Sequence, residues 1–405
     1  MHVLIITHID FYSTYGAATS LRHHVELIYS DNSSENSEIT IINRVSFLKI
    51  IKGLWKGNQR KINDRITLID FWSLPFEFNY DGSPEINPEA WTARLISKFK
   101  KVLTFVLYKN AQSRIFSIIK SFGISVVHLN ASVLAQVATD IKSHFGKDSP
   151  LIVMHIRDFL KTDLNRTNLI NLSNVNRFIC IDKATQDRLI ESVKEFGLSK
   201  HYVLQNIFRK TEVQDVRQIK ELTSTKAQNK FVIIGRISLL KGVLFVADAF
   251  IKANLPNSVL LVVGDGDSEY FTEFLKVCKQ HPNTVKYLGE IPHLSETNLY
   301  YETNFLIRGD ESFRTGRTVY EALIHGNQVI LPGHEIEIDA DSDLVPFKNE
   351  VLLYQPNSTS SLIEVMKYCL NGRISQSSEG ISSMFEEKRK DYLASVLSIY
   401  RSAKA

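Results

Sequence analysis

Residues 308–333 read RGDESFRTGRTVYEALIHGNQVILPG, which is a polar loop containing glycine, then a helix-like run, then an apolar strand. The loop carries Asp310, Glu311 and Arg314, and Glu321 stands one turn into the helix-like run. Open α/β sheets bind ligands where the end of a strand meets the start of a helix. The stretch therefore predicts an α/β unit with a polar ligand site at this loop.

The same alternation of apolar strands and helical patterns runs along the whole chain. Predicted strands lie at 2–7, 39–43, 66–71, 125–129, 151–155, 177–181, 202–204, 231–235, 259–263, 284–288, 304–307, 328–331 and 351–353. Helical patterns occupy 17–30, 92–122, 133–145, 183–195, 241–253, 268–281, 295–302, 317–325 and 359–371. Continuous apolar strands separated by helices are typical of parallel sheets covered on both faces. We therefore predict an α/β protein with doubly wound parallel sheets.

Length divides this pattern into two domains, because 405 residues exceed one ordinary hydrophobic core. A polar segment without a strong strand, 207–229, marks the boundary. We predict Rossmann-like domains at 1–207 and 208–383, followed by an amphipathic helix at 384–405.

Composition excludes several classes of protein. The chain is 44% hydrophobic and 23% charged, and it contains no apolar run of the ~18–20 residues that span a bilayer. The start MHVLIITHIDF lacks the basic flank and cleavage site of a signal peptide and fits a buried strand. Cys180, Cys278 and Cys369 are isolated, which disfavours a disulfide framework or a zinc site. We expect a cytoplasmic protein with reduced thiols.

Two stretches, 47–61 and 90–120, mix basic with apolar and aromatic residues, and no acidic residue occurs between Glu89 and Asp140. One interpretation is a solvated helical face backed by core residues. The other is attachment to an anionic membrane surface, where each basic residue gains ~1 kcal/mol. Nucleic acid is disfavoured, because the net charge is only +4 and no nucleic-acid-binding module is recognised.

In the first half, polar groups follow three predicted strands. Gly16 opens the first helix, where small residues admit a ligand or simply make a tight turn; the spacing is not that of a nicotinamide dinucleotide site. His155 and Arg157 end the strand at 151–155, and His128 and Asn130 end the strand at 125–129. Two polar clusters at neighbouring strand ends favour a cleft wall over purely structural histidines.

In the second half, Gly235 and Arg236 end a strand, and Lys241 stands at a helix start. Two cations converging on a helix N-terminus suit a diphosphate, which also meets backbone N–H groups there. A glycine turn around Gly266 explains the nearby Asp265 more simply than a metal site does.

The opening stretch adds a further set of ligand groups. Gly316, Thr318 and Val319 are placed to present backbone N–H groups at a helix start. A carboxylate at Glu321 can accept hydrogen bonds from two vicinal hydroxyls, as on a ribose. The alternative is a helix-start carboxylate favoured by the helix dipole, but the coincidence with the two cations favours a ligand.

Four segments together resemble the retaining, nucleotide-sugar-dependent glycosyltransferases with two Rossmann-like domains, the GT-B fold. They are GRISLLKG (235–242), LLVVGDGD (260–267), VKYLGEIP (285–292) and GRTVYEALIHGNQVILPG (316–333). The resemblance is specific over 229–333 and looser in the first half. It implies two domains facing across a cleft, with donor bound by the second, acceptor by the first, and the C-terminal helix crossing back to the first.

Carried over by position, the resemblance implies that Arg236 and Lys241 bind the donor diphosphate, Glu321 binds the ribose and His155 lies near the transferred sugar. The implied donor-binding residues are Gly16, Gly235, Arg236, Lys241, Gly266, Gly316, Arg317, Thr318, Val319 and Glu321. The implied catalytic residues are His155, Arg236, Lys241 and Glu311.

One departure concerns the second glutamate of this family, which stands eight positions before the ribose-binding one. Phe313 occupies that position here, and Glu311 lies two residues earlier. Either the loop is longer and Glu311 reaches the sugar, or the role is lost. Gln328 also replaces the usual proline of the last motif.

The resemblance implies a retaining hexosyltransferase that needs neither metal nor cofactor. We expect it to act on a saccharide acceptor, in particular a lipid-linked intermediate of bacterial O-antigen, capsule or lipopolysaccharide synthesis, as a cytoplasmic enzyme peripheral to the inner face of the plasma membrane. The alternatives are a non-catalytic binding or scaffold subunit of the same fold and a sugar-nucleotide epimerase.

Overall fold

The computed structural model describes most of the chain. The described residues are 1–13, 16–30, 37–45, 59–71, 106, 108–157, 164–194, 200–206, 227–266, 269–291, 299–311, 313, 315–340, 344–371 and 378–401. The chain forms two compact units, one of Met1–Ile207 with Lys390–Ala405 and the other of Phe208–Arg389.

The described part of the first unit contains an eight-stranded sheet of order β3-β4-β2-β1-β5-β6-β7-β8. Its strands are β1 His2–Thr7, β2 Glu38–Arg44, β3 Gln59–Lys61, β4 Ile66–Phe71, β5 Val126–Leu129, β6 Leu151–Ile156, β7 Arg177–Cys180 and β8 Lys200–Val203. Each neighbouring pair is parallel except β3 with β4, which is antiparallel.

Both faces of this sheet are buried, as the continuous apolar strands predict. Along β1, Leu4 and Ile6 pack into one hydrophobic cluster while Val3 and Ile5 pack into another on the opposite face. All four are fully buried, and each such side chain contributes ~1.5–3 kcal/mol relative to exposure. The central strand is therefore held from both sides.

Helices α1 to α5 cover the sheet. They are α1 Gly16–Ser30, α2 at residues 108–121, α3 Ala135–Phe145, α4 Arg166–Ser173 and α5 Lys183–Val193. Two begin with capping side chains that accept a backbone N–H three residues on, Asn165 for α4 and Asp182 for α5.

The described part of the second unit contains a six-stranded sheet of order β11-β10-β9-β12-β13-β14, with every neighbouring pair parallel. Its strands are β9 Asn229–Ile234, β10 Ser258–Val263, β11 Val285–Gly289, β12 Phe305–Ile307, β13 Gln328–Pro332 and β14 Val351–Tyr354. Its helices are α6 Val243–Ala253, α7 Glu269–Gln280, α8 Leu299–Glu302, α9 Arg317–Ile324, α10 Glu335–Ala340 and α11 Thr359–Asn371.

The last helix, α12, spans Ser378–Arg401 and begins six residues before the predicted helix. Phe385 stacks on Phe347 in the second unit. Tyr392 and Val396 lie in the same hydrophobic cluster of the first unit as β1. The chain thus returns to its first unit along one helix.

The predicted α/β architecture with two doubly wound sheets is confirmed, and the predicted strands all occur with shifts of at most two residues at their ends. The short strand β3 and the helices α4 and α10 were not predicted. Of the predicted helix at 92–122, residues 106 and 108–121 lie within the described part and are helical. None of the described helices is long and apolar enough to cross a membrane.

Candidate functional site

Sharp glycine turns end β9 and β10 at the carboxyl edge of the second sheet. Gly235 follows β9 and Gly264 follows β10, with φ angles of +142° and +148°. A Cβ atom at Gly264 would lie only 1.8 Å from the Gly235 carbonyl oxygen, so a side chain there would force the two loops apart. Gly266, the next glycine of this turn, donates its N–H to its neighbour, the Asp265 carboxylate, at 2.7 Å. This bond supports the turn interpretation of Asp265.

The start of α6 lies against the end of β12. Gly242, which immediately precedes α6, has a φ of +56°, and a Cβ atom there would lie 1.8 Å from the Gly309 carbonyl oxygen. Only glycine allows this approach. Its consequence is that Lys241, on one loop, meets Asp310, on another. Arg236, at the end of β9, is exposed.

A buried carboxylate joins two cations at this point. Asp310 is 4% exposed; its Oδ1 lies 3.0 Å from Lys241 Nζ and its Oδ2 lies 2.7 Å from Arg308 Nε. Burial by itself would raise the pKa of Asp310, but the hydrogen bonds and charges of Arg308 and Lys241 outweigh it and hold that pKa below its usual range. The bond to Asp310 fixes the direction in which the Lys241 ammonium points.

Arg308 extends the network to the start of α9. Its Nη1 lies 3.4 Å from Thr318 Oγ1, and a Cβ atom at Gly316 would lie 2.6 Å from the same nitrogen. Within this turn the Val319 N–H donates to the Gly316 carbonyl at 3.0 Å. Of the three predicted backbone donors, Gly316, Thr318 and Val319, the Val319 N–H is therefore already engaged within the turn.

The Glu321 carboxylate is held at both of its oxygens. Arg317 Nε donates to Oε1 at 2.5 Å and Tyr300 Oη donates to Oε2 at 2.9 Å. Glu321 is 4% exposed, and a buried carboxylate requires partners of this kind. His325 Nδ1 lies 2.7 Å from the Glu321 carbonyl oxygen one turn along the helix.

The loop between β12 and α9 orients its two candidate residues differently. Phe313, at the position where the family that the sequence resembles carries glutamate, is partly buried and packs on the hydrophobic core of the second unit. Glu311 is exposed. The position that departs from the family pattern is therefore occupied by a side chain that packs in the hydrophobic core. Arg314 and Asp267 lie outside the described residues.

In the first unit, His155 is fully buried at the end of β6. Its Nδ1 lies 3.2 Å from Arg157 Nη2, and Arg157 also donates through Nε to Asn130 Oδ1 at 2.9 Å. The structure thus joins the polar groups that end β5 and β6. Gly16 begins α1, and Asp158, which follows Arg157 in sequence, lies outside the described residues.

His155 also belongs to a buried cluster that the sequence did not reveal. The ring centroid of His128 lies 5.7 Å from that of His155 and 4.9 Å from that of His24. Tyr400 Oη bridges His24 Nε2 at 3.0 Å and His128 Nδ1 at 2.6 Å, and Tyr392 Oη lies 2.8 Å from His24 Nδ1. The two tyrosines come from α12, so no local pattern could have predicted the contact.

Burial lowers the pKa of all three histidines, with a smaller contribution from the charge of Arg157 and, for His128 and His155, from the neighbouring histidines. The pKa of His24 falls to about 3, and those of His128 and His155 lie well below the ordinary value. The cluster is therefore neutral at physiological pH. Within the described ranges no group of three or more His, Cys, Asp or Glu side chains is placed to hold a metal ion.

No family model and no curated protein sequence matches this chain. Several solved structures, however, are similar to it. Sucrose-phosphate synthase from Thermosynechococcus elongatus aligns over 99% of this chain and 98% of its own, with a TM-score of 0.68 and 12% identity. Anabaena Alr3699/HepE in complex with UDP-glucose aligns over 100% and 98%, with a TM-score of 0.60 and 15% identity.

A third structure, the lipopolysaccharide outer core galactosyltransferase WaaB, covers 98% of this chain and 99% of its own at a TM-score of 0.58 and 12% identity. These structures are glycosyltransferases of the GT-B type. The chain therefore has the GT-B fold that its sequence motifs predicted.

Proposed function

We propose that this protein is a glycosyltransferase that moves a sugar from a nucleotide-sugar donor to a saccharide acceptor, with the donor bound by the second unit. One observation carries the proposal. The contact of Gly242 with Gly309, the Lys241–Asp310–Arg308 network and the bond from Arg308 to Thr318 bring two helix starts together at one sheet edge. Such an edge offers fixed positive charge and backbone N–H groups to a diphosphate.

The proposed chemistry follows from the nature of the leaving group. A departing nucleoside diphosphate gains negative charge, and preorganised cations stabilise that charge in the transition state. In this proposal Lys241 and Arg236 supply the positive charge, and the helix dipole at the start of α9 adds to it. The reaction then needs neither metal nor cofactor. Retention of anomeric configuration belongs to the proposal on the strength of the motif resemblance.

The donor ribose is assigned to Glu321, whose carboxylate is fixed in orientation. Glu311 and His155 are assigned to the transferred sugar. Glu311 is exposed on its loop, whereas His155 lies beneath the carboxyl edge of the first sheet, so its role requires that the sugar approach the end of β6.

The acceptor we propose is a lipid-linked intermediate of bacterial surface polysaccharide synthesis. Two observations support this class. WaaB, a protein of similar structure, is by name a lipopolysaccharide galactosyltransferase. In addition, Lys109, Arg114 and Lys120 are exposed along α2, within the basic stretch 90–120. An anionic membrane surface on the cytoplasmic side suits such a face. The partner stretch 47–61 lies outside the described residues except for β3.

The test begins with a thermal-shift screen of nucleoside diphosphates and nucleotide sugars. Ligand at ~100 times its dissociation constant should stabilise the protein by ~2.7 kcal/mol. Release of nucleoside diphosphate from the stabilising nucleotide sugar, with and without acceptor, is then measured for wild type, Lys241→Ala and Glu321→Ala.

The matched control is Lys252→Ala, because Lys252 lies at the other end of α6, is exposed and pairs with Asp248 on the same helix. We expect turnover in wild type and in the control and its loss in the two site variants. Equal turnover in all four proteins would show that the assigned site is wrong.

The second candidate function is a non-catalytic GT-B subunit that binds nucleotide sugar without transfer. The packing of Phe313 on the core, where the family that the sequence resembles carries glutamate, favours it. Stabilisation by a nucleotide sugar without release of nucleoside diphosphate under any acceptor condition would establish this candidate and exclude the enzyme.

A further inference from the structure

Among the described residues, the Glu321 carboxylate has two side-chain donors, one on each oxygen. Tyr300 Oη donates to Oε2 at 2.9 Å and Arg317 Nε donates to Oε1 at 2.5 Å. A carboxylate offers about four lone-pair positions, so the described residues leave one position on each oxygen for a ligand. Two acceptor positions are what the two hydroxyl groups of a ribose require.

Tyr300 is rigidly placed. Its side chain is fully buried, and its ring stacks on His325 with centroids 5.2 Å apart and an interplanar angle of 21°. Asn327 Nδ2 donates to the Tyr300 carbonyl oxygen at 2.6 Å. Burial, with a further contribution from the charge of Glu321, raises the pKa of Tyr300 well above its ordinary value, so the hydroxyl stays protonated. It therefore acts as a donor to the carboxylate at any physiological pH.

We propose that Tyr300 is a positioning residue for the donor ribose: it orients the Glu321 carboxylate so that the remaining lone pairs accept the 2′ and 3′ hydroxyl groups. The inference rests on the proposed nucleotide-sugar function. Arg317 does the same for the other oxygen from the less deeply buried side, where its side chain is 11% exposed. A binding side chain that is already held in one orientation by its protein partners loses little conformational freedom when the ligand binds.

A purely structural role makes a different prediction. If the Tyr300 hydroxyl only satisfies a buried carboxylate, its loss lowers the stability of the second unit and weakens every ligand of that unit alike. If it positions Glu321, its loss weakens only those ligands that carry the ribose hydroxyl groups. Comparing ligands with and without the ribose hydroxyl groups therefore distinguishes the two roles.

The experiment is isothermal titration of ADP, GDP and UDP, each beside its 2′,3′-dideoxy counterpart, into wild type and Tyr300→Phe. The control is Tyr301→Phe, because Tyr301 neighbours Tyr300 in sequence but is 48% exposed. Arg317→Met is a second variant; it removes the guanidinium while keeping an apolar stem and a good helix former. Thermal melting confirms that each variant is folded.

In Tyr300→Phe we expect the ribonucleotide that wild type binds to lose about tenfold in affinity, as for one hydrogen bond to a charged group, while its dideoxy counterpart is unchanged. Arg317→Met should show the same selectivity, and Tyr301→Phe should match wild type. Equal weakening of both ligands, or an unchanged preference for ribose, would overturn the inference.

The failure of the proposed function looks different. If wild type binds none of the six nucleotides, donor binding itself is wrong, and the inference falls with it. If wild type binds ribo and dideoxy forms equally well, donor binding stands, but the ribose role of Glu321 and the positioning role of Tyr300 are both excluded.

Discussion

The buried histidine cluster of the first unit predicts a loss of stability in mild acid. His24, His128 and His155 are neutral in the folded protein because burial depresses their pKa values, to about 3 for His24 and well below 6.5 for the other two. In the unfolded chain a histidine titrates near ~6.5. The stability that depends on their neutrality is thus present above this value and is lost progressively as the pH falls below it, for His24 down to about 3.

The magnitude follows from linkage. Between pH 7.5 and pH 5.5 the unfolded state gains protons that the folded cluster does not, which lowers the free energy of unfolding by ~1.4 kcal/mol for each histidine and ~4 kcal/mol for three. Against the ~5–15 kcal/mol that stabilises a typical domain, this is a large fraction. Carboxylates titrate mostly below this pH window, so the histidines dominate it.

The assay is urea unfolding followed by circular dichroism at pH 7.5, 6.5 and 5.5, with hydrogen exchange in α1 reporting the first unit separately. In His24→Gln, whose amide offers one donor group and one acceptor to the tyrosines, the loss over this range should shrink by ~1.4 kcal/mol. His334→Gln, at an exposed position of the second unit, is the matched control and should leave the loss unchanged. If wild type lost less than ~1.4 kcal/mol over the range, or His24→Gln lost as much as wild type, the cluster would not be neutral in the way described.

Three further substitutions test the packing at the candidate donor site of the second unit and in the histidine cluster of the first. In urea unfolding, Gly242→Ala should destabilise the second unit by ~3 kcal/mol or more, because its Cβ atom would lie 1.8 Å from a backbone oxygen. The control Gly326→Ala should cost only ~1–2 kcal/mol in the same assay, because Gly326 has a φ of +81° but open space around it. Asp310→Asn removes the negative charge shared by the buried Arg308 and the partly exposed Lys241, and it should cost ~3 kcal/mol at pH 7. This difference in stability narrows below the ordinary pKa of aspartate, because the pKa of Asp310 is depressed in the folded protein. Tyr400→Phe leaves two imidazole nitrogens without their donor or acceptor and should cost ~1–3 kcal/mol in thermal melts, while Tyr368→Phe, at a side chain 58% exposed, should cost nothing measurable.

The sequence predicted the architecture because most strands are continuous apolar runs. β1, with five of its six residues buried, is a clear case. β3 escaped prediction because its three residues, Gln59–Lys61, are polar and exposed, and its antiparallel pairing at the sheet edge needs no apolar face. α4 escaped because Arg166–Ser173 carries little periodic hydrophobicity and depends on its Asn165 cap.

The candidate site was predicted in part. Lys241 and Glu321 could be named because each stands at a fixed distance from a glycine in a recognisable motif. Their partners Asp310 and Tyr300 could not be assigned from the sequence, because these contacts are tertiary and no spacing encodes them. The same limit applies to His24, whose partner Tyr392 is 368 residues away in the chain.

Titration of a nucleoside diphosphate into wild type and Lys241→Ala asks whether the edge of the second sheet binds a donor diphosphate at all. If Lys241, held by Asp310 at 3.0 Å, contacts the phosphates, the variant should bind at least about tenfold more weakly, while Lys252→Ala binds as wild type does. Equal affinity in all three proteins would contradict the assignment of this edge as the donor site.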